Sequence, residues 1–169
     1  MDKHTITHLN KNISLHTPES TGNVAKTIAK KRFYEQKFLD YIKKQNLCGV
    51  YLDVGANIGN HSVYFAKFTP AEKVISLELV PNNYAILKKN INSNKLSKKV
   101  IVLNNAAGSK KGLVSFKINT KDELGGAKVI AGKDIEQITL DEYVGENIVA
   151  IKIDVEGAEK DVLVGAKKY

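Results

Sequence analysis

YLDVGANIGNHS, residues 51–62, decides the reading of this chain. A short apolar strand, Val50 to Val54, runs into a glycine turn that opens a helix carrying Asn57, Gly59, Asn60 and His61 near its start. Gly55 and Gly59 lack a Cβ, so the backbone can turn tightly and lie against a ligand. The helix start is expected to present unpaired N–H groups and partial positive charge. Asp53 puts an anion at the strand's carboxyl end, and the whole reads as a nucleotide-type cofactor site. The spacing, Gly55-x-x-x-Gly59, matches neither the dinucleotide fingerprint nor the phosphate loop. On its own, a plain strand-to-helix turn has the same form.

The next strand adds weight. KVISLE, Lys73 to Glu78, ends in an acid 23 residues after Gly55, close to the spacing at which a carboxylate reaches ribose hydroxyls. A solvated strand-end acid is the plainer reading of Glu78. Val100 to Asn104 makes a third strand. Ile148 to Asp154 makes a fourth, apolar enough to be central in a sheet covered on both faces. That strand ends in Asp154-Val155-Glu156-Gly157-Ala158-Glu159, which puts more carboxylates at the rim of Asp53 and Glu78. Glu156 and Glu159 fall where acids complement a helix dipole, which by itself accounts for both. Three carboxylates could hold Mg²⁺, but no further ligand set is evident and no metal is assigned.

Three strings, VYLDVGANIGNHSVYFA (50–66), VISLELVPNNYAILKKNIN (74–92) and IKIDVEGAEKDVLVGA (151–166), resemble the FkbM family of S-adenosylmethionine-dependent methyltransferases. The match runs in order from about Arg32 to the last residue. The resemblance implies an α/β, Rossmann-like class I methyltransferase fold. It also implies O-methylation of a sugar, glycolipid or small metabolite, with S-adenosylmethionine as cofactor. Carried over, Asp53, Gly55, Asn57, Gly59 and Asn60 would surround the methionine moiety, Glu78 would hold the ribose, and Asn104 to Ala106, with Asn105 between them, would lie near the adenine. RFYEQKFLDYI (32–42) resembles the family's YE element over the cleft, so Glu35 joins Glu156 and Glu159 on the substrate side. A surface acid on an amphipathic helix is the alternative for Glu35. Transfer to a hydroxyl needs a base. Asp154 faces the acceptor in this reading, and His61 is the second choice on its intrinsic pKa.

Two other function classes stay open: a nicotinamide-dependent oxidoreductase, and a non-catalytic remnant that binds a nucleoside or a partner. The first lacks G-x-G-x-x-G. The fold implied by the resemblance continues with three more strands after the helix that follows Asp154. Residues 1–48 are therefore expected to be an N-terminal arm and helix, and 49–169 a Rossmann-like domain truncated at the C-terminal end of its sheet. A homodimer through the open sheet edge is one expected consequence. Whether this chain alone turns over is left open.

Composition narrows the classes. The net charge of +8 invites a nucleic-acid reading, but Arg32 is the lone arginine among 26 basic residues, and base and phosphate recognition favours arginine forks. A solvated basic surface with a small-molecule or glycan substrate, and no nucleic acid, is expected. No apolar stretch approaches a membrane span, and the first dozen residues lack a signal-peptide core. The lone Cys48 excludes an internal disulfide, suits the cytoplasm, and is expected to be a small core hydrophobe.

Elsewhere the pattern predicts a loose strand pair or extended arm to about Asn23, carrying exposed His4, His8 and His16. A helical run from Val24 to Gln45 follows, with Tyr34, Phe38 and Ile42 on one stripe. Pro81-Asn82 starts a helix with Tyr84, Leu87 and Ile91 inward, and its lysine run is solvated. VIVLNNAA and LVSFKI are expected to form a hairpin around GSKKG (108–112). Lys121 to Asp134 is expected to be a mobile loop over the site, and ITLDEYV a short strand with a helical turn.

Overall fold

A computed structural model describes residues 1–19, 22–118, 126–143 and 145–168. The signature strand, β3 (Gly49–Val54), is buried at every position. Its neighbours explain why. The parallel sheet has the order β10-β3-β4-β5, with β4 at Ala71–Leu77, β5 at Val100–Leu103 and β10 at Ile148–Ile153. Strands buried on both faces read as continuous apolar runs, as VYLDV and KVISL do. Helix α3 (Asn60–Phe68) links β3 to β4, and α4 (Pro81–Ser93) links β4 to β5. Pro81 opens α4 at its first turn, where a missing N–H costs nothing. Leu87 and Ile91 are buried against the core, while Lys88, Lys89, Lys95 and Lys98 are exposed.

The segment before β3 is more ordered than its sequence suggests. β1 (Asp2–His8) and β2 (Lys11–Thr17) pair over seven residues around a two-residue turn, Leu9-Asn10, in which both residues have positive φ. Ile6, Ile13 and Leu15 are buried in one core with Tyr51, Tyr64 and Leu87. Asn90 of α4 and Asn94, which caps that helix, complete the edge of β2. The Asn90 carboxamide bonds both the N–H and the carbonyl of His16, at 2.6 and 3.0 Å. Asn94 does the same for Ser14, at 3.0 and 2.7 Å. Four helical residues rise about 6 Å, which matches two strand residues of about 6.6 Å, so side chains four apart meet alternate residues of β2. His16 is therefore buried rather than exposed, and its pKa is lowered chiefly by burial. His8 packs edge-on to Phe33 and Phe68. The expectation of a loose arm with exposed histidines is corrected.

Five other expectations are corrected. The run from Val24 to Gln45 is two helices, α1 (Asn23–Ala29) and α2 (Gln36–Gln45). Left-handed backbone at Lys31 and Glu35 breaks it and turns Phe33 into the core, edge-on to Tyr64. Cys48 is exposed, 3.6 Å from a Glu72 carboxylate oxygen that pushes its thiol pKa up. VIVLNNAA and LVSFKI do not pair. β6 (Ala106–Ala107) and β7 (Gly112–Ile118) flank β9 (Ile135–Ile138) in a second sheet of order β6-β9-β7-β8. The last of these, β8 (Ala127–Ala131), is an antiparallel partner of β7 in the stretch expected to be loop. Residues 121–125 of that stretch lie outside the described residues. Ile138 ends β9 and a 3₁₀ turn, Leu140–Tyr143, follows, much as ITLDEYV suggests. Among the described strands, β10 pairs with β3 alone and all six of its residues are partly buried, so it is an edge strand rather than a central one.

Candidate cofactor site

The site lies where β3, β4 and β10 end together, as in open parallel sheets generally. Asp53 is fully buried at the end of β3. Its Oδ2 accepts a 2.5 Å hydrogen bond from the Ser62 hydroxyl of α3, and Ser76 of β4 donates to Ser62 at 2.9 Å. Its Oδ1 accepts no aligned hydrogen bond and lies 3.3 Å from the ammonium of Lys152. Asp53 and Lys152 are register partners across β3 and β10, so both side chains leave the same face of the sheet. Lys152 also donates to the Gly55 carbonyl at 2.8 Å and approaches Asp154 Oδ2 at 3.7 Å.

The glycine turn is held by protein on both sides. Gly55 and Ala56 donate to the Leu77 carbonyl at 2.9 Å, and Asn57 N–H donates to Glu78 Oε2 at 2.7 Å. Gly59 donates back to Ala56. The N–H groups of the turn itself are thus used internally, ahead of the helix start at Asn60. Gly55 and Gly59 both have positive φ, as a glycine turn requires. The space a Cβ would fill holds the Asp154 carbonyl at Gly55 and the Leu87 side chain at Gly59.

Glu78 is buried, and its second oxygen accepts the Val80 N–H at 2.9 Å. Burial pushes its pKa up, against the pull of those backbone bonds and of Lys152. Beyond it, Asn104 donates to the Glu78 carbonyl at 2.7 Å, and Asn105 donates to Glu136 Oε2 at 3.2 Å. Asn105 and Ala106 line a narrow, open cleft with Gly55, Leu77, Leu79, Val129 and Val155. Val129 belongs to β8, so the second sheet supplies one wall.

On the other side of the turn, Asn60 accepts the Tyr34 N–H at 2.9 Å and donates to the Tyr34 carbonyl at 3.0 Å. His61 Nε2 lies 3.0 Å from Glu35 Oε2. Burial lowers the His61 pKa, while Asp53 and Glu35 pull it back up. The structure thus joins His61 to Glu35, and draws Asn60 away from the cleft to hold the segment that carries Glu35. Asp154 is exposed at the rim, as is Glu156, which has a positive φ. Glu159 accepts from Val155 N–H at 3.3 Å and Gly157 N–H at 3.1 Å, and those bonds hold its carboxyl below the ordinary range. Its carboxylate closes the turn into α5 (Glu159–Val164).

Two residues escaped the sequence reading. Tyr34, expected on an apolar stripe, is instead held through its backbone by Asn60, and burial together with the charge of Glu35 pushes its phenol pKa up. Lys152 is the other. The available signal was a lysine inside the apolar run IVAIKI, where a charge needs a partner.

The profile of the methyltransferase FkbM domain matches residues 53–169. The chain belongs to the FkbM methyltransferase family. Among solved structures it is similar to an FkbM methyltransferase from Methylobacillus flagellatus, with 20% identity and a TM-score of 0.51 over 72% of this chain and 29% of that one. It is also similar to M. jannaschii TYW2, solved in complex with AdoMet, at 25% identity and a TM-score of 0.40 over 60% and 42% of the two chains. The first likeness supports the Rossmann-like fold. The chain spans under a third of the length of the FkbM structure it matches. A comparison with curated proteins finds no match. Family membership favours a methyl donor over the nicotinamide dinucleotide. Among the described residues, no helix is long and apolar enough to cross a membrane.

Proposed function

We propose that this chain carries the cofactor half of an S-adenosylmethionine-dependent O-methyltransferase, acting on a hydroxyl of a sugar, glycolipid or small metabolite in the cytoplasm. The observation that carries the reading is the junction of the glycine turn, the strand-end acids Glu78 and Asp154, and the adjoining apolar cleft, within a chain of this family. The groups present fit the cofactor. The cleft, with Leu79, Ala106 and Val155 on its walls, suits a purine, and the remaining lone pairs of Glu78 suit ribose hydroxyls. Gly55, Asn57 and Gly59 form the turn beside the methionine end, with Asp53 acting through Lys152 and Asn60 through Tyr34. When bound, S-adenosylmethionine supplies an electrophilic methyl group on a sulfonium.

The chain's own residues then orient the acceptor and take its proton. Asp154 is exposed at the rim and suits the role of base. His61 is buried against Glu35, so it suits holding Glu35 in place at the acceptor side. Glu156 lies on the same rim. Glu159 shapes the turn that carries Asp154 and Glu156. The edge of β10 is proposed to pair with a second copy, which sedimentation tests. Calorimetric titration with S-adenosylmethionine, S-adenosylhomocysteine and NAD tests the cofactor reading. Binding of the first two is expected, and binding of NAD in their place overturns it.

A further inference from the structure

We propose that Lys152 is a positioning residue whose positive charge makes the site discriminate between the sulfonium and thioether forms of the cofactor. The inference rests on the cofactor reading above and concerns a residue outside the set expected from the sequence. The Lys152 side chain is one-tenth exposed, and its ammonium touches three groups of the mouth: the Gly55 carbonyl, Asp53 and Asp154. Gly55 opens the turn and Asp154 ends β10, so the charge sits between the two segments that frame the methionine end.

A bare carboxylate pair there would attract a cation, and the ammonium offsets that attraction. In methyl transfer to a hydroxyl, the carbon–sulfur bond breaks with its electron pair left on sulfur, the carbon–oxygen bond forms, and the hydroxyl proton passes to a carboxylate. Sulfur goes from cation to neutral thioether. A fixed positive charge nearby weakens binding of the cationic form relative to the neutral one, which favours the direction of transfer. A structural role for Lys152, bracing Gly55 and balancing Asp53, would change the binding of both forms together. The ratio of the two affinities therefore isolates the charge.

The test is calorimetry of the wild-type chain, Lys152→Met, Lys152→Gln, Lys152→Arg and Asp154→Asn with S-adenosylmethionine and S-adenosylhomocysteine. Lys152→Met and Lys152→Gln are expected to shift the affinity ratio about ten-fold toward the sulfonium. Lys152→Arg keeps the charge and should keep the ratio. Asp154→Asn, at an exposed position that does not threaten folding, should shift the ratio the opposite way. An unchanged ratio in the neutral variants overturns the proposal. Should those variants fail to fold, an unchanged ratio in Asp154→Asn overturns it instead. If the wild type binds neither ligand, the cofactor reading itself falls, a result distinct from binding without discrimination.

Discussion

A β-carbon on Gly55 would collide with the main-chain carbonyl of Asp154. The glycine of the turn is thus required by the neighbouring strand end, whatever the ligand does. Gly157 also has a positive φ, yet a Cβ there meets nothing within 4 Å. Left-handed backbone alone costs an L residue about 1–2 kcal/mol. Gly157→Ala should lose about that much, and Gly55→Ala distinctly more, because the β3–β10 contact must also shift. Urea denaturation of the two variants measures the difference; equal losses would show that Asp154 moves aside freely.

Glu78→Ala should weaken binding of S-adenosylhomocysteine by about ten-fold or more, since a buried donor left without its acceptor costs on the order of 1–3 kcal/mol. Loss of the bond to Asn57 N–H contributes to that figure. Glu78→Gln separates the two effects, because its remaining oxygen can still accept the turn's N–H. Calorimetry on folded variants decides, and unchanged affinity in Glu78→Ala removes the ribose assignment.

The same residue has a pH signature. Burial raises its pKa above the ordinary 4.5. A raised pKa means that its contribution to stability is fully present below the unfolded value and is lost as pH rises through the folded one. The stability of wild type relative to Glu78→Gln should therefore fall as pH rises from 4.5 through that raised value. Thermal melts across this range read the trend, and a flat difference would contradict it.

His61 has the opposite sign. Its folded pKa lies below 6.5 because of burial. Stability is therefore present above 6.5 and is lost as pH falls through the depressed value. Replacing His61 with Phe should flatten the acid side of the stability profile, at the cost of the bond to Glu35. A wild-type profile no steeper than that of the variant would mean that Glu35 fully offsets the burial.

Asn60→Ala should cost on the order of 2 kcal/mol, since the Tyr34 N–H and carbonyl both lose a buried partner. Hydrogen exchange should show the Tyr34 amide deprotected while β3 stays protected. Protection retained at Tyr34 would mean that another group replaces the carboxamide.

Much of this was legible in the chain. The three strings carry three of the four parallel strands and the family, because apolar runs followed by glycine turns and acids leave few alternatives. What stayed hidden was tertiary. A lone lysine in IVAIKI shows its role only when register brings it beside Asp53. The clasp of Asn60 on the Tyr34 backbone likewise joins residues 26 apart. The break at Lys31 and Glu35 has no glycine or proline to announce it, and the small second sheet pairs strands out of sequence order. The N-terminal strands looked loose because the groups that complete them belong to α4.

That last pairing bears on biosynthesis. The carboxamides that clasp β2 come from positions 74 and 80 residues later in the chain. The β1–β2 hairpin therefore waits for α4 to complete the edge of β2, while Ile6, Ile13 and Leu15 can pack earlier against Phe33, Tyr51 and Tyr64. Chains arrested before Asn90 should expose the hairpin to protease and to chaperones, and chains arrested with α4 clear of the exit tunnel should protect it. By this geometry the edge of β2 closes only once residues 74 and 80 positions further along the chain have been made.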